Sequence, residues 1–284
     1  MPISRRQLGA AAGITALGLA ATGATWQIAQ GQSNHGGQTP GDRRPDPSTA
    51  PTSTPTGPSV SPRDPNAPRP SLITPGAKVL FQGDSITDAG RRGTPADSND
   101  RRALGAGYAW LAASGYLTSR PGHRLAFHNA GRSGDMTVNL ARRWGTDTLD
   151  LAPDVVSILV GVNDYWNRHR VLGFTGSAEI YHQQLGTLVA LTRAALPHTK
   201  VVICEPFLLE AGPVRASWQR DFSGYRQAAA DIALAHDLRF VGFQAVLDAA
   251  LDVGPAASWC HDGIHPTPDG AAVLAREWVR VVGQ

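Results

Sequence analysis

From residue 77 onward, short apolar runs alternate with longer helical patterns, and this alternation restricts the fold more than any other feature of the chain. The runs are rich in Val, Ile, Leu or Phe, most are followed by turn residues, and they cover residues 78–82, 125–128, 154–160, 201–204 and 239–241. Runs of this kind are typical of parallel strands that are buried on both faces. The sequence therefore predicts five short strands in one sheet.

Helical patterns separate these strands at residues 108–118, 137–149, 177–196 and 218–236, and a last one covers residues 269–282. Thr267 is well placed as the N-cap of the last helix, with Pro268 as its first residue. Strands that are joined by crossover helices imply an α/β fold with an open, doubly wound parallel sheet. In such sheets the ligand site lies beyond the carboxyl ends of the strands.

The first 29 residues have the pattern of an export signal. Arg5 and Arg6 precede a soft apolar run that extends to about Ala24, and this arrangement is similar to a bacterial twin-arginine signal. An ordinary secretory signal or an uncleaved anchor is the alternative, whereas the absence of cysteine from this segment excludes a lipoprotein anchor. We therefore expect a secreted protein that engages the twin-arginine export machinery.

Residues 30–76 have the composition of a linker. Eleven of the 21 prolines fall between Pro40 and Pro75, among Thr, Ser and Asp, and this stretch has no aromatic residue. Such a segment cannot bury enough apolar area to offset the entropy lost on ordering, so it is expected to be an extended, disordered spacer. The sequence therefore predicts that residues 77–284 form the folded domain.

Charge is distributed unevenly along the chain. The net charge is +3, and residues 1–75 hold six arginines and three aspartates, so the remainder carries 20 basic and 20 acidic residues. A neutral domain without a basic block does not favour nucleic-acid binding. The pairs Arg101-Arg102 and Arg142-Arg143 are expected to be solvated faces of helices or loops.

The two cysteines, Cys204 and Cys260, do not have the spacing of a metal site. In an exported protein they could form a disulfide, and otherwise they are two unpaired small residues. Both alternatives remain open at this point.

Three polar segments stand where a site of this sheet is expected, and a fourth lies near the C-terminus. Gly83-Asp84-Ser85-Ile86-Thr87, Asn129-Ala130-Gly131-Arg132-Ser133-Gly134-Asp135 and Gly161-Val162-Asn163-Asp164 follow the first three strands, and Asp262-Gly263-Ile264-His265-Pro266 lies near the C-terminus. Each is also compatible with an ordinary turn, and Ser85 with a helix cap. Together they place a hydroxyl, an imidazole and a carboxylate in one chain.

These three groups are what nucleophilic catalysis by serine requires. Ser85 would attack, His265 would take its proton and Asp262 would hold the imidazole ring. Asp262 and His265 are three positions apart, so one turn can carry both. A glycine N–H of the second segment and the Asn163 amide are neutral donors that can stabilise a developing oxyanion.

A metal site is the alternative reading of the C-terminal segment, because His261, Asp262 and His265 are all metal-ligand types. The sequence offers no further Asp/His cluster to complete a coordination shell. We therefore predict no metal and no other cofactor.

The four segments, in this order, resemble the signature blocks of the SGNH/GDSL hydrolases, and the resemblance covers residues 77 to about 282. It implies a three-layer α/β/α, flavodoxin-like fold with a doubly wound five-stranded parallel sheet. It also implies Ser85 as the nucleophile, His265 as the general base, Asp262 as its partner, and an oxyanion hole made by Ser85, Gly134 and Asn163. Ile86 stands where the family has Leu, and no G-x-S-x-G elbow of the larger α/β-hydrolase family is present.

Smaller features are similar to the bacterial acetylxylan esterases of this family and imply the removal of acetyl groups from plant polysaccharide. The residues expected to bind substrate are Asp84, Tyr165, Trp166, Phe207 and Trp259. The four aromatic rings could stack on sugar rings, or some could belong to the core or to an acyl pocket. The alternatives are a lysophospholipase or lipid esterase of the same family and a secreted carbohydrate-binding protein without catalytic activity.

Overall fold

The structure is a computed structural model that describes residues 70–167 and 176–283. Five parallel strands form one sheet: β1 (Lys78–Gly83), β2 (Ala126–Asn129), β3 (Val155–Leu159), β4 (Lys200–Cys204) and β5 (Arg239–Val241). Their order is β2-β1-β3-β4-β5, and every neighbouring pair is parallel. The predicted doubly wound, five-stranded α/β fold is confirmed.

The helices are α1 (Ser85–Asp88), α2 (Arg101–Leu104), α3 (Tyr108–Ser119), α4 (Thr137–Trp144), α5 (Val162–Asn167), α6 (Ala178–Ala195), α7 (Ala216–Ala235), α8 (Phe243–Ala250), α9 (Ala256–Trp259) and α10 (Pro268–Val282). The long helices match the predicted patterns within one or two residues, except that the pattern at 137–149 is an α-helix followed by a π-helical turn at Gly145–Leu149. Thr267 caps α10 through Gly270 N–H at 3.1 Å, as expected.

The two faces of the sheet are covered by different helices. Phe81 of β1 packs against Tyr108 of α3 and Trp278 of α10, with ring centroids 5.7 and 4.9 Å apart. Its neighbour Gln82 points to the other face, where its Oε1 accepts a hydrogen bond from Arg143 of α4 at 2.9 Å. Because successive strand residues alternate between faces, these contacts define the three layers.

The folded part begins before the predicted boundary at residue 77. The Leu72 N–H donates to the Val282 carbonyl at 3.0 Å, and Ile73 is buried in the core. These two apolar residues interrupt the proline-rich composition and can therefore pack against the domain. The predicted export signal at 1–29 and residues 30–69 of the predicted linker lie outside the described residues.

Cys204 and Cys260 are both buried and unpaired, so the alternative of two separate thiols holds and the disulfide does not form. The Cys204 Sγ lies 3.3 Å from the Ser157 hydroxyl within the sheet. In the described part of the chain, no helix is both long and apolar enough to cross a bilayer.

Candidate active site

Ser85 is the first residue of α1, directly beyond the carboxyl end of β1. Asp84 is the N-cap of this short helix, and its Oδ1 accepts a hydrogen bond from Ile86 N–H at 3.0 Å. The cap turns the chain sharply at the end of the strand. Ser85 therefore lines an open cleft beyond the edge of the sheet.

One chain of hydrogen bonds joins the three residues that the sequence selects for nucleophilic catalysis. The Ser85 Oγ lies 2.8 Å from His265 Nε2, and His265 Nδ1 lies 2.7 Å from Asp262 Oδ2. The carboxylate can only accept, so Nδ1 carries a proton and the neutral ring keeps the lone pair of Nε2 for the serine hydroxyl. This arrangement can activate a hydroxyl as a nucleophile.

Asp262 is held by the turn that it shares with His265. Its Oδ1 accepts from the backbone N–H groups of Ile264 at 3.0 Å and His265 at 2.7 Å. Burial alone would raise the pKa of Asp262, but the hydrogen bonds from the His265 ring and from these two backbone groups outweigh it and lower the pKa below its ordinary value. The Asp262 side chain is therefore an ionised carboxylate near neutral pH.

Gly263 makes this turn possible. Its φ is +81°, in the left-handed region that favours glycine, and an added Cβ would lie 2.4 Å from the Leu209 carbonyl oxygen. The Gly263 carbonyl in turn accepts from Leu209 N–H at 2.9 Å. The loop after β4 thus braces the turn that carries Asp262 and His265.

Three donors line the cleft beside Ser85. The Asn163 Nδ2 donates to the Asp135 carbonyl at 3.1 Å. A carbonyl oxygen can only accept, which fixes the orientation of the amide and leaves its second N–H for a ligand. Within residues 70–167 and 176–283, the backbone N–H groups of Ser85 and Gly134 have no hydrogen-bond acceptor. The three donors can together receive an oxyanion.

Gly134 owes its position to a tight turn between β2 and α4. Its φ is +84°, and the Asp135 N–H closes the turn on the Arg132 carbonyl at 3.2 Å. The preceding Ser133 N–H donates to the Asp88 carboxylate at 3.0 Å. Asp88 therefore ties the helix of the serine to the loop of Gly134, a role that the sequence did not reveal because Asp is common in turns.

The cleft has a volume of about 410 Å³ and is lined by Ser85, Ser133, Gly134, Val162, Asn163, Trp166, Pro213, Asp262, Ile264 and His265. Of the residues expected to bind substrate, Trp166 lies in this lining. Its ring also packs edge-on against Trp218, with centroids 4.9 Å apart. Trp166 is thus an aromatic wall close to the serine.

The other four residues expected to bind substrate lie elsewhere. Tyr165 is buried against Phe222, and Phe207 is fully buried in the core. Trp259 lines a separate groove between α8 and α10, and its Nε1 donates to the Gly254 carbonyl at 3.1 Å. Asp84 is buried beneath Ser85. Contacts of Tyr165, Phe207 and Asp84 with a ligand would require these side chains to move.

Arg143 corrects the expectation that the arginine pairs are solvated. Arg101, Arg102 and Arg142 are exposed, but Arg143 is buried, because it lies on the inner face of α4 together with Trp144. It forms ion pairs with Asp135 at 2.7 Å and with Asp147 at 2.9 Å. Two adjacent arginines in a sequence do not indicate which of them is buried.

A buried carboxyl group lies directly behind the serine. Asp84 is 1% exposed, and its Oδ2 has no hydrogen-bond partner among the described residues. Burial, together with the nearby Asp164 and Asp135 carboxyl groups, raises the pKa of Asp84 to about 7 against the opposing hydrogen bond from Ile86. Burial likewise raises the pKa of Asp164 to about 6, although hydrogen bonds from Thr137 oppose the change.

We expect the variant Asp84→Asn to flatten the pH dependence of stability. A carboxyl with a native pKa of about 7 and an ordinary value of 3.8 binds its proton more tightly in the folded state, so the free energy of unfolding falls as pH rises between these values. Above pH 7, the ionisation of Asp84 lowers the free energy of unfolding of the wild type by about 4 kcal/mol. The asparagine keeps the acceptor for Ile86 but buries an unpaired amide, which costs about 1–3 kcal/mol.

Urea unfolding at several pH values measures this effect. The variant should be the more stable protein at pH 8, by about 1–3 kcal/mol, and should lose that advantage near pH 4. A slope remains because Asp164 titrates in the same window. Asp150→Asn, at an exposed position, is the control and should keep the wild-type slope. An Asp84→Asn profile parallel to the wild type would contradict the assignment.

Metal-ligand side chains do not converge in the described ranges: no group of three or more His, Cys, Asp or Glu residues could hold an ion there. His261 is exposed, next to Asp262. The geometry around Asp262 is accounted for by hydrogen bonds to His265 and Ile264.

Comparisons with known proteins identify the family that the chain resembles. A family model described as the GDSL-like lipase/acylhydrolase family matches residues 81–273. The acetylxylan esterase of Geobacillus stearothermophilus is 32% identical over 213 residues, which cover 74% of this chain and 96% of that protein.

Two solved structures illustrate the similarity of fold. The acetylxylan esterase Axe2 from Geobacillus stearothermophilus superposes with a TM-score of 0.68 at 30% identity, over 75% of this chain and 97% of that chain. LAE5, an α/β hydrolase from the metagenome of Lake Arreo, gives a TM-score of 0.68 at 30% identity, over 75% and 98% of the two chains. The resemblance to the SGNH/GDSL hydrolases is thereby confirmed. Since the family model and the esterase both span most of the domain that carries the cleft, the chain belongs to the GDSL-like lipase/acylhydrolase family and is a carboxylic ester hydrolase.

Proposed function

We propose that the protein is a secreted serine esterase that removes short acyl groups, acetyl foremost, from a carbohydrate such as xylan. The observation that carries the proposal is the chain of hydrogen bonds from Ser85 Oγ through His265 to Asp262, at 2.8 and 2.7 Å. The reaction needs no cofactor, because a serine, a base and an oxyanion hole are sufficient for acyl transfer.

In the first step, Ser85 Oγ attacks the ester carbonyl carbon while His265 Nε2 accepts the hydroxyl proton. Asp262 stabilises the imidazolium that forms. The oxyanion of the tetrahedral intermediate is received by the backbone N–H groups of Ser85 and Gly134 and by the Asn163 amide. Each such donor contributes about 2.7–4 kcal/mol to lowering the barrier.

The first half-reaction ends as the tetrahedral intermediate collapses and the imidazolium of His265 gives its proton to the departing alcohol. The acyl group stays on Ser85 until a water molecule attacks it, with His265 again as the base. The serine then leaves with the proton, and acid is released. The intermediate of each half-reaction uses the same three donors.

Acetylated carbohydrate is the proposed substrate for two reasons. Trp166 offers a flat aromatic wall next to Ser85 on which a sugar ring can stack. The open cleft of about 410 Å³ leaves room for a glycan at its mouth. The similar Geobacillus protein is an acetylxylan esterase, and two solved variants of it, with a serine or a histidine replaced by alanine, are described as catalytic mutants.

The test is a series of p-nitrophenyl esters from acetate to octanoate, together with acetylated xylan. We expect kcat/KM to be highest for acetate and to fall with chain length, and we expect xylan to release acetate. A clear preference for octanoate would instead identify a lipid esterase or lysophospholipase. Binding of xylan without any ester turnover would identify a carbohydrate-binding protein.

Two tryptophan variants separate the glycan contact from the chemistry. Trp166→Ala should lower kcat/KM for acetylated xylo-oligosaccharides by about 10-fold, a loss of one stacking contact, and should affect p-nitrophenyl acetate less. Trp259→Ala is the matched control, because this ring lines the separate groove between α8 and α10. Equal losses in both variants would reject the role of Trp166.

Secretion is the second part of the proposal and rests on the twin-arginine pattern at Arg5-Arg6. The protein should be found in the culture medium of a producing bacterium, and Arg5→Lys combined with Arg6→Lys should retain it inside the cells. Unchanged export of that double variant would point to another route.

A further inference from the structure

A single buried guanidinium lies beneath the loops of the proposed oxyanion hole. Arg143, near the end of α4, is 8% exposed. Its Nη1 lies 2.7 Å from the Ala130 carbonyl, and its Nη2 lies 3.3 Å from the Gly83 carbonyl. Ala130 follows β2 and Gly83 ends β1, so one side chain joins the carboxyl ends of two neighbouring strands.

The same guanidinium holds the corner at which the Gly134 turn ends. Arg143 Nε donates to the Asp135 carboxylate at 2.7 Å. The main-chain carbonyl of Asp135 is the acceptor that orients the Asn163 amide, at 3.1 Å. The other side of that peptide is also held, because Met136 N–H donates to Asn139 Oδ1 at 2.9 Å. Asp135 therefore connects Arg143 to Asn163, through its carboxylate on one side and its main-chain carbonyl on the other.

Stability alone does not explain a buried arginine at this place. Removing a charge from water is costly, and well-packed apolar side chains of similar volume often stabilise such a position as well or better. Only an arginine has a planar fork that can hold carboxylates and carbonyls in fixed directions at once. A buried guanidinium at position 143 is therefore suited to fixing the relative positions of the carbonyl and carboxylate groups that it contacts.

We propose that Arg143 and Asp135 are positioning residues for the oxyanion hole, which hold the Asn163 amide and the Gly134 turn in the geometry that the transition state needs. The inference rests on the proposed function of Asn163. Neither residue lines the cleft, so both act through the groups that do.

The chain offers a matched control for this role. Asp147 is the second carboxylate partner of Arg143, at 2.9 Å, and it also pairs with Arg132 at 2.8 Å. Like Asp135 it is mostly buried, with 10% against 16% of its side chain exposed. In contrast to Asp135, it has no main-chain contact with Asn163 among the described residues. Its loss weakens the same ion cluster and releases the half-exposed Arg132 side chain, but within the described ranges it removes no group that contacts Asn163 or the Asp135 carbonyl.

The first experiment compares Asp135→Ala with Asp147→Ala on p-nitrophenyl acetate, with thermal melting of both. We expect kcat of Asp135→Ala to fall by about 10-fold with KM within a factor of two, a part of what a lost donor costs. Asp147→Ala should keep kcat within a factor of two, whatever its melting temperature. Asp135→Asn retains an acceptor for Arg143 and should recover part of kcat. Equal kcat losses in the two alanine variants would overturn the proposal.

A double-mutant cycle with Asn163→Ala tests the route of the effect. Asn163→Ala alone should lower kcat by about 10²–10³-fold. In that background, Asp135→Ala should cost little more, because the group that it positions is gone. Full additivity would overturn the inference and leave the proposed function intact. A wild-type kcat for Asn163→Ala would instead reject the proposed oxyanion role and the inference with it. Should Asp135→Ala fail to fold, Arg143→Lys takes its place in the cycle with the same expectation.

Discussion

Replacement of Ser85 by alanine is expected to reduce kcat for p-nitrophenyl acetate by about 10⁴–10⁶-fold, because no other group in the proposed mechanism can form the acyl-enzyme. The backbone donors and the binding cleft survive the change, so a small residual rate above the uncatalysed reaction should persist. The substitution removes one hydroxyl that bonds His265 at 2.8 Å and no apolar contact of the core.

Ser133→Ala is the matched control for this experiment. Ser133 also lines the cleft, but its contribution to the loop is a backbone N–H that alanine retains, at 3.0 Å from Asp88. Its kcat should remain within a factor of a few of the wild type. A serine-directed phosphonate should label the wild type and Ser133→Ala, but not Ser85→Ala, as read by intact mass. Near wild-type turnover by Ser85→Ala would refute the mechanism.

Asp262→Asn is expected to lower kcat by about 10⁴-fold with the fold intact. The asparagine oxygen can still accept from the N–H groups of Ile264 and His265, so the turn should persist. Its amide would donate to His265 Nδ1, which places the ring proton on Nε2 and leaves no lone pair for the Ser85 proton.

The pH profile distinguishes this tautomer effect from unfolding. The pKa of Asp262 is lowered, so the wild-type carboxylate stays ionised as pH falls until well into the acid range, and its contribution to stability is lost only there. Asp262→Asn lacks this contribution, so it should melt somewhat below the wild type at pH 7, remain folded at the assay temperature, and approach the wild type as pH falls into the acid range. Asp269→Asn, in the exposed first turn of α10, should leave kcat unchanged. A loss of less than 10-fold for Asp262→Asn would count against a role for this carboxylate.

The sheet could be predicted from the sequence because its strands are short apolar runs with clear turn residues. The placement of Ser85 and Asn163 near each other follows from the same pattern, because parallel strands end at one edge. β1 and β3 are neighbours in the sheet, so the residues that follow them meet at the point where the strand order reverses. The local spacing of Asp262 and His265 needed only one turn.

Side-chain direction could not be predicted in the same way. Tyr165 and Trp166 are adjacent on α5, yet Tyr165 packs into the core and Trp166 lines the cleft. Successive helical residues point about 100° apart, and the absolute direction depends on how the helix packs. Arg142 and Arg143 differ for the same reason, since one faces solvent and the other the ends of the strands.

The cleft is built from two kinds of parts, and this division bears on how its selectivity can be redesigned. Ser85 and Asn163 stand just beyond two strand ends whose spacing is fixed by the ladder, with Gly83 of β1 in register with Leu159 of β3. Trp166, three residues after Asn163 on α5, and Pro213, in the loop after β4, lie farther along the chain from these strand ends. Libraries that vary these two rim positions can therefore reshape the alcohol that the enzyme accepts while the reacting atoms keep their places.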